Sequence, residues 1–211
     1  MEKLHCKLLA LSTPRSGTRF VNLLLRSCGV KIGHEAFKRD GTVGMFFAVE
    51  DVAYPGKHWS TEDESRQRRS DYQFDEVWHF VRDPRKAIPS IASHFLHQSI
   101  WWWQERHTGI SAGLYPKALR AMLFWVAWHE LIEKNERVDY FFRIEDIDVE
   151  WPVMCRRMEI PEREMPAVER DLGTVETGPR RTMPLSFDEM DAIDPSAARA
   201  VRDMAERYGY E

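Results

Sequence analysis

The chain predicts an α/β fold of three layers, with a mostly parallel central sheet flanked by helices. Three observations carry that prediction. Apolar runs that read as strands alternate with helical stretches along the chain. The apolar run Leu8-Leu9-Ala10-Leu11 breaks abruptly into Ser12-Thr13-Pro14-Arg15-Ser16-Gly17-Thr18-Arg19 and turns amphipathic again at Phe20. Arg15, Glu35 and Arg82 each stand just past the end of an expected strand, and in open parallel sheets ligands bind beyond the carboxyl ends of the strands.

Residues 4–12 read as the first strand and 17–28 as the first helix, stopped by Cys28-Gly29. Val30 to Gly33 is a short second strand. Residues 37–73 carry scattered glycine, a Tyr54-Pro55-Gly56 turn and the charged run TEDESRQRRSD, and read as a loop or lid. Its charges are expected to be solvated; the alternative is that Arg66, Arg68 and Arg69 touch an anionic substrate. Glu76 to Val81 is the next strand, followed by Arg82-Asp83-Pro84 and a helix starting near Pro84, where a missing N–H costs nothing. Pro89 lies inside that helix, removes one of its hydrogen bonds and should kink it just before Ser90. Residues 117–135 form the clearest helix, because Ala118, Ala121, Met122, Trp125, Trp128 and Ile132 recur at three- and four-residue spacing. Val138 to Ile144 is an aromatic-rich strand. The last third mixes short helices with a Gly178-Pro179-Arg180-Arg181 loop and closes in a helix reaching Tyr208-Gly209.

A chain of 211 residues is expected to form one domain over 1–211. Its formal net charge of −4 argues against general nucleic-acid binding. Cys6, Cys28 and Cys155 are odd in number, far apart and without metal-type spacing, as suits small core residues in a reducing compartment. The start lacks a signal-peptide core, and no apolar stretch approaches the roughly 18 residues of a membrane span. A cytoplasmic protein without a membrane span is therefore expected.

Residues 14–19 have the makings of an anion cradle. Gly17 allows close backbone approach, and the N–H groups around Ser16 to Arg19 open the following helix with their partial positive charge. Arg15 adds a full charge on a planar fork of donors, and Thr18 a hydroxyl. An ATP-type phosphate loop needs a glycine five positions earlier and a lysine before the hydroxyl residue. Here Ser12 stands at the first position and Thr18 follows Gly17 directly, which weakens a nucleoside-triphosphatase reading.

With the second motif the chain resembles the sulfotransferases that use 3′-phosphoadenosine-5′-phosphosulfate (PAPS). That family's P-[KR]-[SG]-G-T is matched by Pro14-Arg15-Ser16-Gly17-Thr18. Its R-[ND]-P with a serine eight positions after the arginine is matched by Arg82-Asp83-Pro84 and Ser90. Weaker echoes are R-x-E-D-[LI] in Arg143-Ile144-Glu145-Asp146-Ile147 and a closing Y-G-[YF] in Tyr208-Gly209-Tyr210. The resemblance covers nearly the whole chain and implies a sulfotransferase architecture of the P-loop nucleoside-triphosphatase kind. It implies that residues 14–19 hold the 5′-phosphosulfate and that Arg82 with Ser90 hold the 3′-phosphate. Adenosine 3′,5′-bisphosphate would then be the leaving product, with Arg15 stabilising its bridging oxygen. Glu35 is expected to be the general base, with His34 as its rival; in an extended segment the two side chains point to opposite sides. Phe20 stands where cytosolic relatives stack adenine on tryptophan, and a core contact is the alternative. Arg19 replaces the threonine or serine of many relatives. Arg180 and Arg181 would match a late basic loop over the 3′-phosphate. No metal is implied.

The acceptor implied is a small molecule or glycan bearing a hydroxyl or amine. Trp101-Trp102-Trp103 cannot all face one core from a helix, since neighbours diverge by roughly 100°. They suit either a pocket for a sugar, aromatic or apolar ligand, or an interface between copies of the chain in a homo-oligomer. Two other functions remain open at the level of sequence: a nucleotide kinase-like phosphotransferase, and a non-catalytic protein that binds adenosine bisphosphate.

Overall fold

The structure is a computed structural model that describes residues 2–49, 67–94, 104–111, 113–168 and 183–211. Its strands are β1 (Leu4–Leu11), β2 (Ile32–His34), β3 (Gly41–Gly44), β4 (Tyr72–Val81) and β5 (Tyr140–Arg143). Its helices are α1 (Thr18–Ser27), α2 (Pro84–His94), α3 (Lys117–Asn135), α4 (Ile147–Arg157), α5 (Phe187–Ile193) and α6 (Pro195–Arg207). The five strands form one all-parallel sheet in the order β2-β3-β1-β4-β5.

Strand β1 is central because it is apolar on both sides. Leu9 and Leu11 face one core with Ala87, Ile88 and Ile91 of α2, Trp125 and Trp128 of α3, and Val201 and Met204 of α6. Leu8 and Ala10 face the other, with Val21, Leu24 and Leu25 of α1 and Trp151 and Met154 of α4. A strand buried on both faces reads as a continuous apolar run, which is what made it visible in the sequence. From β1 the chain moves to one side through α1 to β2 and β3, and later to the other through β4 and β5. The reversal falls between β1 and β4, and the ends of such strands are the place where parallel sheets bind ligands.

The expected loop over 37–73 contains β3 and the first two residues of β4, and the strand expected from Glu76 starts four residues earlier. Gly41-Thr42-Val43-Gly44 carries two glycines in four residues and so looks like a turn, yet it is wholly buried between β2 and β1. Tyr72 to Asp75 alternate half-buried and exposed where they pair with the start of β1, which hides the strand's beginning. Only six residues, 35–40, link the parallel strands β2 and β3. Such a short return needs a sharp reversal, and Glu35 supplies it with a φ of 56°. Phe37 then packs back onto Tyr72, its ring centroid 3.9 Å away, while Gln67 bonds both its N–H and its carbonyl. Arg69 forms a two-pronged ion pair with Glu136, both contacts at 2.8 Å, so it serves the framework.

Helix α2 runs through Pro89. The proline leaves the Arg85 carbonyl without its helical donor. The N–H of Leu185 takes that place at 2.8 Å, so the missing bond becomes a docking point for the chain entering α5. Among the described residues no helix is long and apolar enough to cross a membrane.

Behind β4, His79 and His129 of α3 share a 2.8 Å hydrogen bond in a wall of Trp125, Phe141 and Tyr208. Burial pushes His79 down to about 3. His129 is pushed well below its ordinary value by burial, with the charges of His79 and Arg207 adding to it. Both are neutral in the fold and take up protons first when unfolded, so the stability they contribute is whole above about pH 6.5 and declines as the pH falls below that. Urea unfolding from pH 7 to pH 4.5 should show the effect. His129→Gln is expected to have a shallower loss than the natural protein, by up to about 1.4 kcal/mol per pH unit. Equal slopes would refute the assignment.

Candidate active site

The loop after β1 is shaped by two residues in the left-handed region, Arg15 at φ 67° and Gly17 at φ 90°. Gly17 is the N-cap of α1 and offers no side chain to its first N–H groups, which leaves that helix end open to an anion. A Cβ on Gly17 would also stand 3.0 Å from Ile144, so both conformation and space call for glycine. Thr13 and Ser16 close the loop with a 2.6 Å bond between buried hydroxyls. For Arg15 the left-handed conformation costs about 1–2 kcal/mol, strain of the kind that collects at functional sites.

The loop after β4 lies directly alongside. Arg82 donates from Nη1 to the Arg15 carbonyl at 2.8 Å, and Arg15 donates from Nε to Ser90 Oγ at 3.0 Å. The residues that the resemblance assigns to opposite ends of the donor are thus in contact. Partial burial of the Arg15 guanidinium, then the charge of Arg82, push its pKa down. Among the described residues Arg15, Arg19 and Arg82 form no ion pair with a carboxylate. Arg15 and Arg82 therefore meet without a counter-charge among the described residues.

The weaker motifs buttress this loop. Glu145 accepts from the Asp83 N–H at 3.1 Å through Oε1, and from the Tyr210 hydroxyl at 2.8 Å through Oε2. The same hydroxyl lies 3.3 Å from the carbonyl of Val81, the last residue of β4. Arg143 pairs with Asp146 at 2.6 Å and donates to the Gly209 carbonyl. Asp83 itself accepts from Arg85 N and Nε, fixing the start of α2.

His34 and Glu35 part company, as expected, though the segment is not extended at Glu35. His34 Nε2 meets Thr18 Oγ1 at 3.0 Å on the first turn of α1. Burial and then the Arg19 charge lower His34 to about 4, so its ring is neutral near pH 7. Glu35 turns to the opposite face. Both its oxygens accept from the Met45 N–H, at 3.0 and 2.9 Å, and Oε2 also accepts from Phe46 N–H at 3.2 Å. Desolvation raises its pKa to about 7, against the lowering effect of those two N–H groups. The backbone donors of Met45 and Phe46 were invisible in the sequence, because the strand they follow looked like a loop.

Phe20 is 8% exposed and lies in the apolar cluster with Val21 and Leu24. Pro14 stands half-buried in the first loop. Arg180, Arg181 and Trp101 to Trp103 lie outside the described residues.

A sulfotransferase domain from the curacin biosynthetic pathway superposes on this chain with a TM-score of 0.51, covering 100% of this chain and 99% of its own at 14% sequence identity. At that identity the likeness is one of fold. The chain has the sulfotransferase fold, five parallel strands between helical layers. No family model matches the sequence, and no curated protein matches it.

The strained conformation of Arg15 gives a direct test. Arg15→Ala and Arg15→Gly remove the same charge, but only glycine is free of the left-handed cost. The glycine variant is expected to be the more stable by about 1 kcal/mol in denaturant unfolding. An alanine variant as stable as the glycine one would show that position 15 is not strained.

Proposed function

We propose that the chain is a PAPS-dependent sulfotransferase that moves the sulfuryl group to a hydroxyl or amine of a small-molecule or glycan acceptor. The observation that supports this best is the meeting of Arg15 and Arg82 beyond the ends of β1 and β4, with no ion pair to a carboxylate among the described residues. The residues present suit such a donor. Arg15 spends Nε on Ser90 and, among the described residues, has no protein acceptor for its terminal nitrogens, which leaves a fork for a phosphosulfate. Arg82 and Ser90, on the loop and helix beside it, suit a second phosphate. A doubly phosphorylated adenosine would satisfy both; ATP would leave the second pocket unpaired.

When bound, the donor supplies the activated sulfuryl group for in-line transfer. Arg15 and the first N–H groups of α1 neutralise the charge that grows on the departing phosphate oxygen, and Thr18, held by His34, orients that helix end. Glu35 removes the acceptor's proton. A base with a pKa of about 7 is half ionised near neutrality yet basic enough to accept a proton, which an ordinary exposed carboxylate is not. His34, at about 4, is a weaker base and is already engaged with Thr18.

Calorimetric titration with adenosine 3′,5′-bisphosphate, ATP and AMP tests the donor site. The bisphosphate should bind at least tenfold tighter than the other two, and Arg82→Ala should abolish that preference. Tighter binding of ATP would point instead to a kinase-like phosphotransferase. For the transfer step, ³⁵S-labelled PAPS is offered with a mixed set of sugar, phenol and amine acceptors. Turnover should rise with pH through about 7 as Glu35 ionises. Glu35→Gln should lower the rate by about 10²–10⁴-fold, while His34→Asn costs less. If Glu35→Gln leaves the rate intact, the base lies elsewhere; bisphosphate binding without labelling of any acceptor would favour a non-catalytic binder.

A further inference from the structure

Gly44 ends β3 and is wholly buried, with its carbonyl accepting from Ser12 N–H at 3.3 Å. It is not among the glycines with positive φ, so its backbone is open to any residue. What excludes a side chain is a neighbour. A Cβ built on Gly44 would stand 2.1 Å from Glu35 Oε2, 2.5 Å from Cδ and 2.9 Å from Oε1. The carboxylate occupies the volume that any other residue's first carbon would fill.

We infer that Gly44 is a positioning residue, whose missing side chain is the seat that holds the Glu35 carboxylate against the Met45 and Phe46 N–H groups. Three constraints converge on that seat. The left-handed backbone of Glu35, with its N–H bonded to the Val43 carbonyl at 3.1 Å, aims the side chain back over the end of β3. The 3₁₀ turn Phe46–Ala48, which follows Met45, is anchored to the end of α3, where Asn135 Nδ2 donates to the Ala48 carbonyl at 3.0 Å. Gly44 supplies the space between them. A methyl group there need not disturb the backbone, because the atoms in its way are the far end of a side chain that can swing out. Gly44→Ala should therefore fold while evicting the carboxylate from its donors.

The consequence for turnover rests on Glu35 being the base, so the test separates the two ideas. Amide ¹H–¹⁵N shifts of Met45 and Phe46 are followed from pH 4 to pH 9. In the natural protein they should move together with a midpoint near 7, and the movement should vanish in Glu35→Gln. In Gly44→Ala it should also vanish; its persistence would overturn the inference. A double-mutant cycle covers the case in which the alanine variant is too unstable for spectra. Whatever Gly44→Ala costs in thermal midpoint should disappear when Glu35 is already alanine, since the clash is gone. An equal cost in both backgrounds would overturn the inference. With labelled PAPS, Gly44→Ala should lower kcat by about 10²-fold or more with bisphosphate affinity unchanged. Loss of the amide titration with kcat retained supports the seat and removes Glu35 as the base.

Discussion

The hydrogen bond from Arg82 Nη1 to the Arg15 carbonyl joins two loops that leave neighbouring parallel strands, and the geometry of the site follows from it. Two guanidinium groups repel each other, and nothing in their own chemistry would bring them together. The bond lets one arginine approach through the backbone dipole of the other, while Arg15 Nε donates to Ser90. The same bond uses the carbonyl of a residue in the left-handed region, which ties the strained conformation of Arg15 to the position of Arg82. Relaxing either loop would separate the charges.

Holding like charges together needs a stiff support, and much of it comes from the far end of the chain. Tyr210 reaches back to Val81 and Glu145, Glu145 bonds the Asp83 N–H, and Arg143 bonds the Gly209 carbonyl. A tail, the turn after β5 and the loop after β4 thus form one network around the start of α2. Its carboxylates face backbone N–H, hydroxyl and Arg143 groups and stay out of ion pairs with Arg15 and Arg82. That arrangement supplies rigidity without cancelling the positive charge in front. Pro89 adds to it, because the carbonyl it releases on Arg85 anchors the chain at Leu185.

The sheet was legible where burial on both faces wrote a continuous apolar run, as in β1 and the second half of β4. It was illegible where glycine was selected by a neighbour. Gly41 and Gly44 flank a buried strand yet carry the composition of a turn, and the carboxylate that requires Gly44 lies nine positions away on the other side of a chain reversal. Arg15, Gly17, Arg82 and Ser90 were legible as a candidate site because strand–loop–helix junctions concentrate polar residues at fixed offsets. Their mutual contacts were not, since Arg15 bonding Ser90 depends on the spacing of β1 and β4 and on how α2 tolerates Pro89. The roles of Glu145 and Tyr210 had a faint signal in the closing motifs, but a tyrosine near a chain end says nothing of the loop it will reach.

The opposite shifts of His34 and Glu35 have one origin with two signs. Burial disfavours charge, so it drives the histidine down and the carboxyl up. An anion seated on the arginines would act differently on each. It would draw His34 back toward protonation and push Glu35 further from ionisation, which makes the carboxyl a stronger base but a rarer one near neutrality. The N–H groups of Met45 and Phe46 oppose that second effect, because they bond the ionised form. Their value is therefore greatest with the anion in place. A carboxylate free to leave those donors would take up a proton more readily beside a polyanion, so the space that Gly44 leaves for Glu35 bears on its protonation as well as on its geometry.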